Sequence, residues 1–137
     1  MKNDLEKAEE LLKLSDYTCV LCRGMITCSS KERGIRPLME WIQEGKPLTG
    51  YSAADRIVGR AAAFLYVLLG VRAVYAEVMS RGAIELLEEN GIHVAYDTVT
   101  DSIRNRMNTG ICLMEKAVQG ADSAQEAFLL LQEKLSH

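Results

Sequence analysis

The sequence predicts an α/β fold. The expected architecture is a three-layer sandwich: a mixed sheet in which an N-terminal antiparallel hairpin is followed by parallel strands, with helices on both faces. Three observations carry this reading. Between residues 71 and 97, strand, helix and strand signals follow one another with short connections, as in a βαβ unit with parallel strands. YTCVLCRGMITCSS, residues 17–30, places two β-rich runs around Arg23-Gly24 and reads as a hairpin. Helical patterns lie before, between and after these strands.

Taken in order, residues 3–14 put Leu5, Ala8, Leu11 and Leu12 on one face and Glu and Lys on the other, an amphipathic helix. The hairpin strands fall roughly at 17–22 and 25–29. A short helix follows Pro37 and carries Leu38, Trp41 and Ile42. Ser52-Ala53-Ala54-Asp55 has the form of a capping box, and the apolar pattern behind it predicts a helix running to Gly70. From Ala61 to Leu69 that helix is apolar nearly all round, so it belongs in the centre of the molecule. Residues 71–79 read as an interior strand, Ser80 as the cap of a helix over 81–89, and residues 92–97 as a further strand. The polar segment 98–110 reads as a loop or broken strand. Helices over 111–119 and 123–136 complete the chain, the second opened by Ser123 and Glu126.

Composition narrows the classes of function. The 137 residues suit one domain spanning the whole chain. A hydrophobic fraction of 48%, a charged fraction of 26% and a net charge of −3 argue against a broad basic face for nucleic acid. The longest apolar run, residues 61–71, is too short to cross a bilayer. With no secretory signal in view, the expected location is cytoplasmic and the four cysteines are expected as thiols.

Three of those cysteines lie in the hairpin. Cys19 and Cys22 form a CxxC, but residues three apart on a strand point to opposite faces and cannot chelate one ion. A turn at Arg23-Gly24 would set Cys22 opposite Met25 and Cys19 opposite Cys28. Asp55 reads either as the acid of the Ser52 capping box or as a ligand-binding group at a helix start. Arg56 and Arg60, four apart on that helix, read as solvated, as paired with acids such as Glu77, or as binders of a phosphate or carboxylate. Gly59 between them suggests a close approach by a neighbouring backbone or a ligand. Ser80 reads more readily as a cap than as a nucleophile. Asn105 and Arg106 could cover a pocket and fix a polar edge and an anion. Cys112 and Glu115 share a helix face, and Glu115 could pair with Arg106.

The order helix, hairpin, helix, strand, helix, strand, helix resembles the cytidine deaminase-like fold, most sharply in EVMSRGAIELLEENGIHVAY, residues 77–96. Zinc deaminases carry Pro-Cys-x-x-Cys at this strand-to-helix junction and His-Ala-Glu or Cys-Ala-Glu at the start of the preceding helix. Laid on this chain, those motifs fall on residues 79–83 and on Ala53-Ala54-Asp55. The metal-ligand positions are then Ala53, Ser80 and Ala83, which offer zinc no thiolate or imidazole. The resemblance therefore implies the fold without zinc-dependent deamination, with no metal and no cofactor. Asp55-Arg56-Ile57-Val58-Gly59-Arg60-Ala61-Ala62-Ala63, Asn105-Arg106 and Cys112-Leu113-Met114-Glu115 resemble a small prokaryotic family of unknown function with this fold. Leu113 stands where that family tends to have proline. The likeness spans residues 15 to 119.

The resemblance implies a ligand site between the helix starts at Ser52 and Ser80, built from Asp55, Arg56, Ser80, Asn105, Arg106, Cys112 and Glu115. The leading expectation is a small-molecule-binding protein, with a nucleotide-like ligand by analogy of fold. An enzyme using Asp55 or Glu115 as acid–base and Cys112 as nucleophile is the first alternative. An oligomeric scaffold with a vestigial pocket is the second. The sequence leaves open whether the chain catalyses anything and whether it forms a homo-oligomer.

Overall fold

The structure, a computed structural model, describes residues 2–104, 110 and 112–136. Five strands form one mixed sheet: β1 (Cys19–Arg23), β2 (Ile26–Ser30), β3 (Ser52–Val58), β4 (Ala73–Ser80) and β5 (His93–Thr100), in the spatial order β2-β1-β3-β4-β5. β1 runs antiparallel to β2 and β3, whereas β3, β4 and β5 are parallel. The helices are α1 (Asp4–Lys13), α2 (Arg36–Gln43), α3 (Arg60–Leu69), α4 (Arg81–Glu89), α5 (Leu113–Ala117) and α6 (Ala124–Leu135).

Strand alternation divides the core into two layers. On one face Val20, Cys22, Ala54 and Tyr75 meet Ala8 and Leu12 of α1. On the other, Cys19, Leu21, Ala53, Val74 and Ala76 meet α3, around which α2, α4 and α6 are gathered. α3 is buried nearly all round, as its apolar sequence requires, and ends at Gly70 in the left-handed region at φ 77°.

The largest departure from the sequence reading lies at residues 52–59. Ser52 does not cap a helix, and Asp55 is not the third residue of one. Both belong to β3, and α3 begins only after Gly59. Ala53 and Ala54 favour helix in isolation, but here they are fully buried on opposite faces of the central strand. Their small side chains let α1 and α3 both close onto the sheet, and this packing outweighs local propensity. It follows that Arg56 and Arg60 do not share a helical face, since one lies on β3 and the other opens α3.

The hairpin register also differs. Its turn is Gly24-Met25, with Gly24 at φ 60° in the first turn position, where primed turns need a positive φ. Cys28 therefore opposes Leu21, and Cys19 opposes Ser30. Cys19 packs in the α3 layer and Cys22 in the α1 layer, so the CxxC is split across the sheet. The last parallel strand runs on to Thr100, beyond the expected end, and α5 is shorter than its sequence pattern. Ser80 and Ser123 cap α4 and α6 as expected, accepting from the amides of Ala83 and Glu126. All four cysteines are free thiols. Mild oxidation of the native protein should leave all four titratable after unfolding, and loss of two together would instead indicate the Cys19–Cys28 register.

Candidate functional site

Asp55 and Arg56 are neighbours on β3 and so leave the strand on opposite faces. Arg56 turns toward α1. Its Nη2 donates to the carbonyls of Leu12 (2.7 Å) and Ser15 (3.0 Å), its Nε to that of Tyr17 (3.0 Å), and its Nη1 to Glu77 (2.9 Å). It therefore ties the end of α1, through Leu12 and the residues just beyond the helix, to the central strands. Asp55 turns toward α3. Its Oδ2 accepts from the Tyr66 hydroxyl at 2.6 Å, and its Oδ1 from the Arg56 amide at 2.7 Å. Cys19, the register partner of Asp55 on β1, lies with Sγ 3.2 Å from the Tyr66 oxygen. With the Tyr66 proton given to Asp55, the thiol donates to Tyr66 and the three groups form one chain.

Burial pushes the Asp55 carboxyl up to about 6, against the Tyr66 hydroxyl and the amides of Arg56 and Ile57, which favour its charged form. Burial also pushes the Cys19 thiol and the Tyr66 phenol well above their ordinary values, and the Asp55 charge adds to both. Near neutral pH the chain can therefore carry one negative charge, and it sits on Asp55.

A cavity of about 360 Å³ opens onto this carboxyl. It lies at the C-terminal end of β3, beside the start of α3, where open α/β sheets place ligands. Ile35, Ile57, Ala62, Ile103 and Met114 form apolar wall, and Thr18, Arg33, Arg104, Cys112 and Glu115 add polar groups. A cavity of equal volume at the other end of the sheet is lined by Asn3, Asp4, Ser52, Arg72 and His93. The cavity above Asp55 is the better candidate, because it opens onto a buried carboxyl that burial holds above its ordinary value.

The start of α3 is closed by a remote carboxylate. Glu115 of α5 accepts from the amides of Arg60 (2.8 Å) and Ala61 (2.7 Å), one with each oxygen. Gly59 offers no side-chain cap of its own, so Glu115 supplies the acceptor and the negative charge that a helix N-terminus favours. A Cβ at Gly59 would lie 2.4 Å from Glu115 Oε1 and 2.6 Å from Ile103 Cγ1. Glycine is required there by close approach.

Residues 7–135 match the family described as TM1506, a domain of unknown function (DUF1893). The chain belongs to the DUF1893 family. A crystal structure of a DUF1893 protein from Thermotoga maritima superposes on it with a TM-score of 0.88, at 26% identity, covering 98% of this chain and 91% of the other. No curated protein matches the sequence.

In this DUF1893 chain the expected site residues are only partly brought together. Asp55, Cys112 and Glu115 line one cavity. Arg56 also borders it, but its guanidinium is spent on α1 and Glu77. Ser80 caps α4 and is not part of the lining. Nor does the cavity lie between the helix starts near residues 59 and 80. There the stem of Arg60 packs on Gly82, where a Cβ would come within 2.9 Å of it. Asn105 and Arg106, and with them the expected Glu115–Arg106 pair, lie outside the described residues. Among the described residues no group of three or more His, Cys, Asp or Glu could hold a metal ion, and no helix is long and apolar enough to cross a membrane.

Tyr66, Cys19 and Arg33 were not singled out by the sequence as site residues. Tyr66 had a usable signal. A hydroxyl in the middle of an otherwise apolar buried helix needs a partner, and Asp55 is the nearest acid before it.

Glu115→Ala should cost about 1–2 kcal/mol of stability through the lost cap. Gly59→Ala should also destabilise, by forcing Glu115 and Ile103 to shift. Because both act on one contact, the double variant should cost less than the sum of the singles in urea unfolding. Strict additivity would contradict the contact.

Proposed function

We propose that this DUF1893 protein binds a small molecule in the cavity above Asp55, and that its ligand is nucleoside- or nucleotide-like. The observation that supports this most is the buried carboxyl opening into a mostly apolar cavity of about 360 Å³. An ionised carboxylate has about four acceptor sites. Tyr66 and the amides of Arg56 and Ile57 occupy three, which leaves capacity for one donor from a ligand. The volume suits a ring system of nucleoside size. The cytidine deaminase-like reading of the fold favours a nucleobase, and rests on the βαβ segment after residue 71. In this reading the chain does not carry out zinc-dependent deamination. Gly59, Arg60 and Ala61, which stand at the start of α3, offer zinc no thiolate or imidazole, and neither do Ser80 and Ala83 at the start of α4.

Asp55 also favours a second reading, an enzyme. A carboxyl titrating at about 6 is poised for general acid–base work near neutrality, and Cys112 lies in the same wall as a candidate nucleophile.

A thermal-shift screen of nucleosides and nucleotides tests the binding reading. At least one should raise the melting temperature of the wild type, and Asp55→Asn should reduce that shift. Absence of any hit, or hits indifferent to Asp55→Asn, would contradict it. Recovery of a hit chemically unchanged after incubation assigns binding alone, and Asp55-dependent conversion assigns catalysis.

A further inference from the structure

The cavity is electrically graded along its depth. Its inner end holds the buried Asp55 carboxyl, and its polar lining further out includes Arg33 and Arg104, both exposed. Arg33 forms no ion pair or hydrogen bond with the described residues. The position at which a helix start would ordinarily receive a phosphate is already filled, because Glu115 accepts from the amides of Arg60 and Ala61. An anionic ligand group placed deep in the cavity would face both Asp55 and Glu115. At the mouth it would face guanidinium groups, which suit carboxylate and phosphate.

We infer that the cavity selects a dipolar ligand in one orientation: a flat heterocycle with an N–H donor directed inward to Asp55, and an anionic group, such as a 5′-phosphate, directed outward to Arg33 with Arg104 beside it. This rests on the binding reading above and specifies its ligand class. It assigns Arg33 a specificity role that the sequence did not suggest. The inward group must donate, because Asp55 is acceptor-only when ionised. The outward group must be anionic and solvent-facing, so its contribution is modest and sensitive to salt.

The test is calorimetric titration of the four ribonucleosides and their 5′-monophosphates into wild type, Arg33→Ala and Asp55→Asn, at low and high salt. For the base that binds, the monophosphate should bind about fivefold more tightly than its nucleoside at low salt. That ratio should fall toward one in Arg33→Ala and in high salt, while Asp55→Asn weakens both compounds. Arg33 lies on the surface, so its variant is expected to fold and to give an interpretable ratio. Equal affinity of nucleoside and monophosphate for the wild type would overturn the dipolar assignment while leaving the binding reading intact. A preference that persists in Arg33→Ala would overturn the role of Arg33. Binding of none of the eight compounds would remove the binding reading and this inference with it.

Discussion

A carboxyl group buried at the inner end of the cavity is the constraint on which the site depends. Asp55 is almost inaccessible to water, and the guanidinium next to it in sequence faces the other side of the sheet. Its charge is carried by hydrogen bonds, from Tyr66 on α3 and from backbone amides of β3. Losing one of those donors would leave a buried charge short of partners, which is among the costlier single changes a protein can undergo. The same dipeptide joins all three layers. Arg56 holds the end of α1 and Asp55 holds the middle of α3, and both side chains spring from the central strand. Layer spacing and cavity floor thus follow from two adjacent residues of opposite charge.

The second constraint is the start of α3. The turn from β3 into that helix passes through Gly59 without a capping side chain of its own, and α5 supplies one in Glu115. One contact therefore does two things. It satisfies the free amides of a buried helix, and it brings α5, with Cys112 and Met114, against the cavity. It also fills the position where anions ordinarily collect in α/β folds, which is why the cationic groups at the mouth gain importance.

Much of the architecture was legible. The amphipathic N-terminal helix, the hairpin, the buried helix ending at Gly70 and the Ser80 and Ser123 caps all follow from short-range rules of periodicity and capping. The error at residues 52–59 has a definite cause. Ser-Ala-Ala-Asp satisfies a local helix rule, yet two alanines are also what a central strand needs when helices press on both its faces. Ile57-Val58 before Gly59 was the better clue, since β-branched residues ahead of a glycine fit a strand end. In the hairpin a one-position shift of the turn changed which cysteines oppose, because register depends on where the positive-φ residue sits. Within the site, Asp55 stands on β3 and not at a helix start, and Glu115 accepts from the amides of Arg60 and Ala61. Backbone amides as partners carry no mark in the sequence.

The central claim is that Asp55 is held in a place that resists its ionisation. The most direct test is the difference in unfolding free energy between wild type and Asp55→Asn, measured by urea denaturation from pH 4 to pH 7. Folding raises the carboxyl from 3.8 to about 6, so the native state binds the proton more tightly. The resulting stabilisation is complete below pH 3.8 and is lost as pH rises through about 6. Wild type should therefore lose roughly 2 kcal/mol relative to Asp55→Asn between pH 4 and pH 7, by the linkage between pKa shift and stability. A difference that does not change with pH, or one that moves in favour of the wild type as pH rises, would contradict the account.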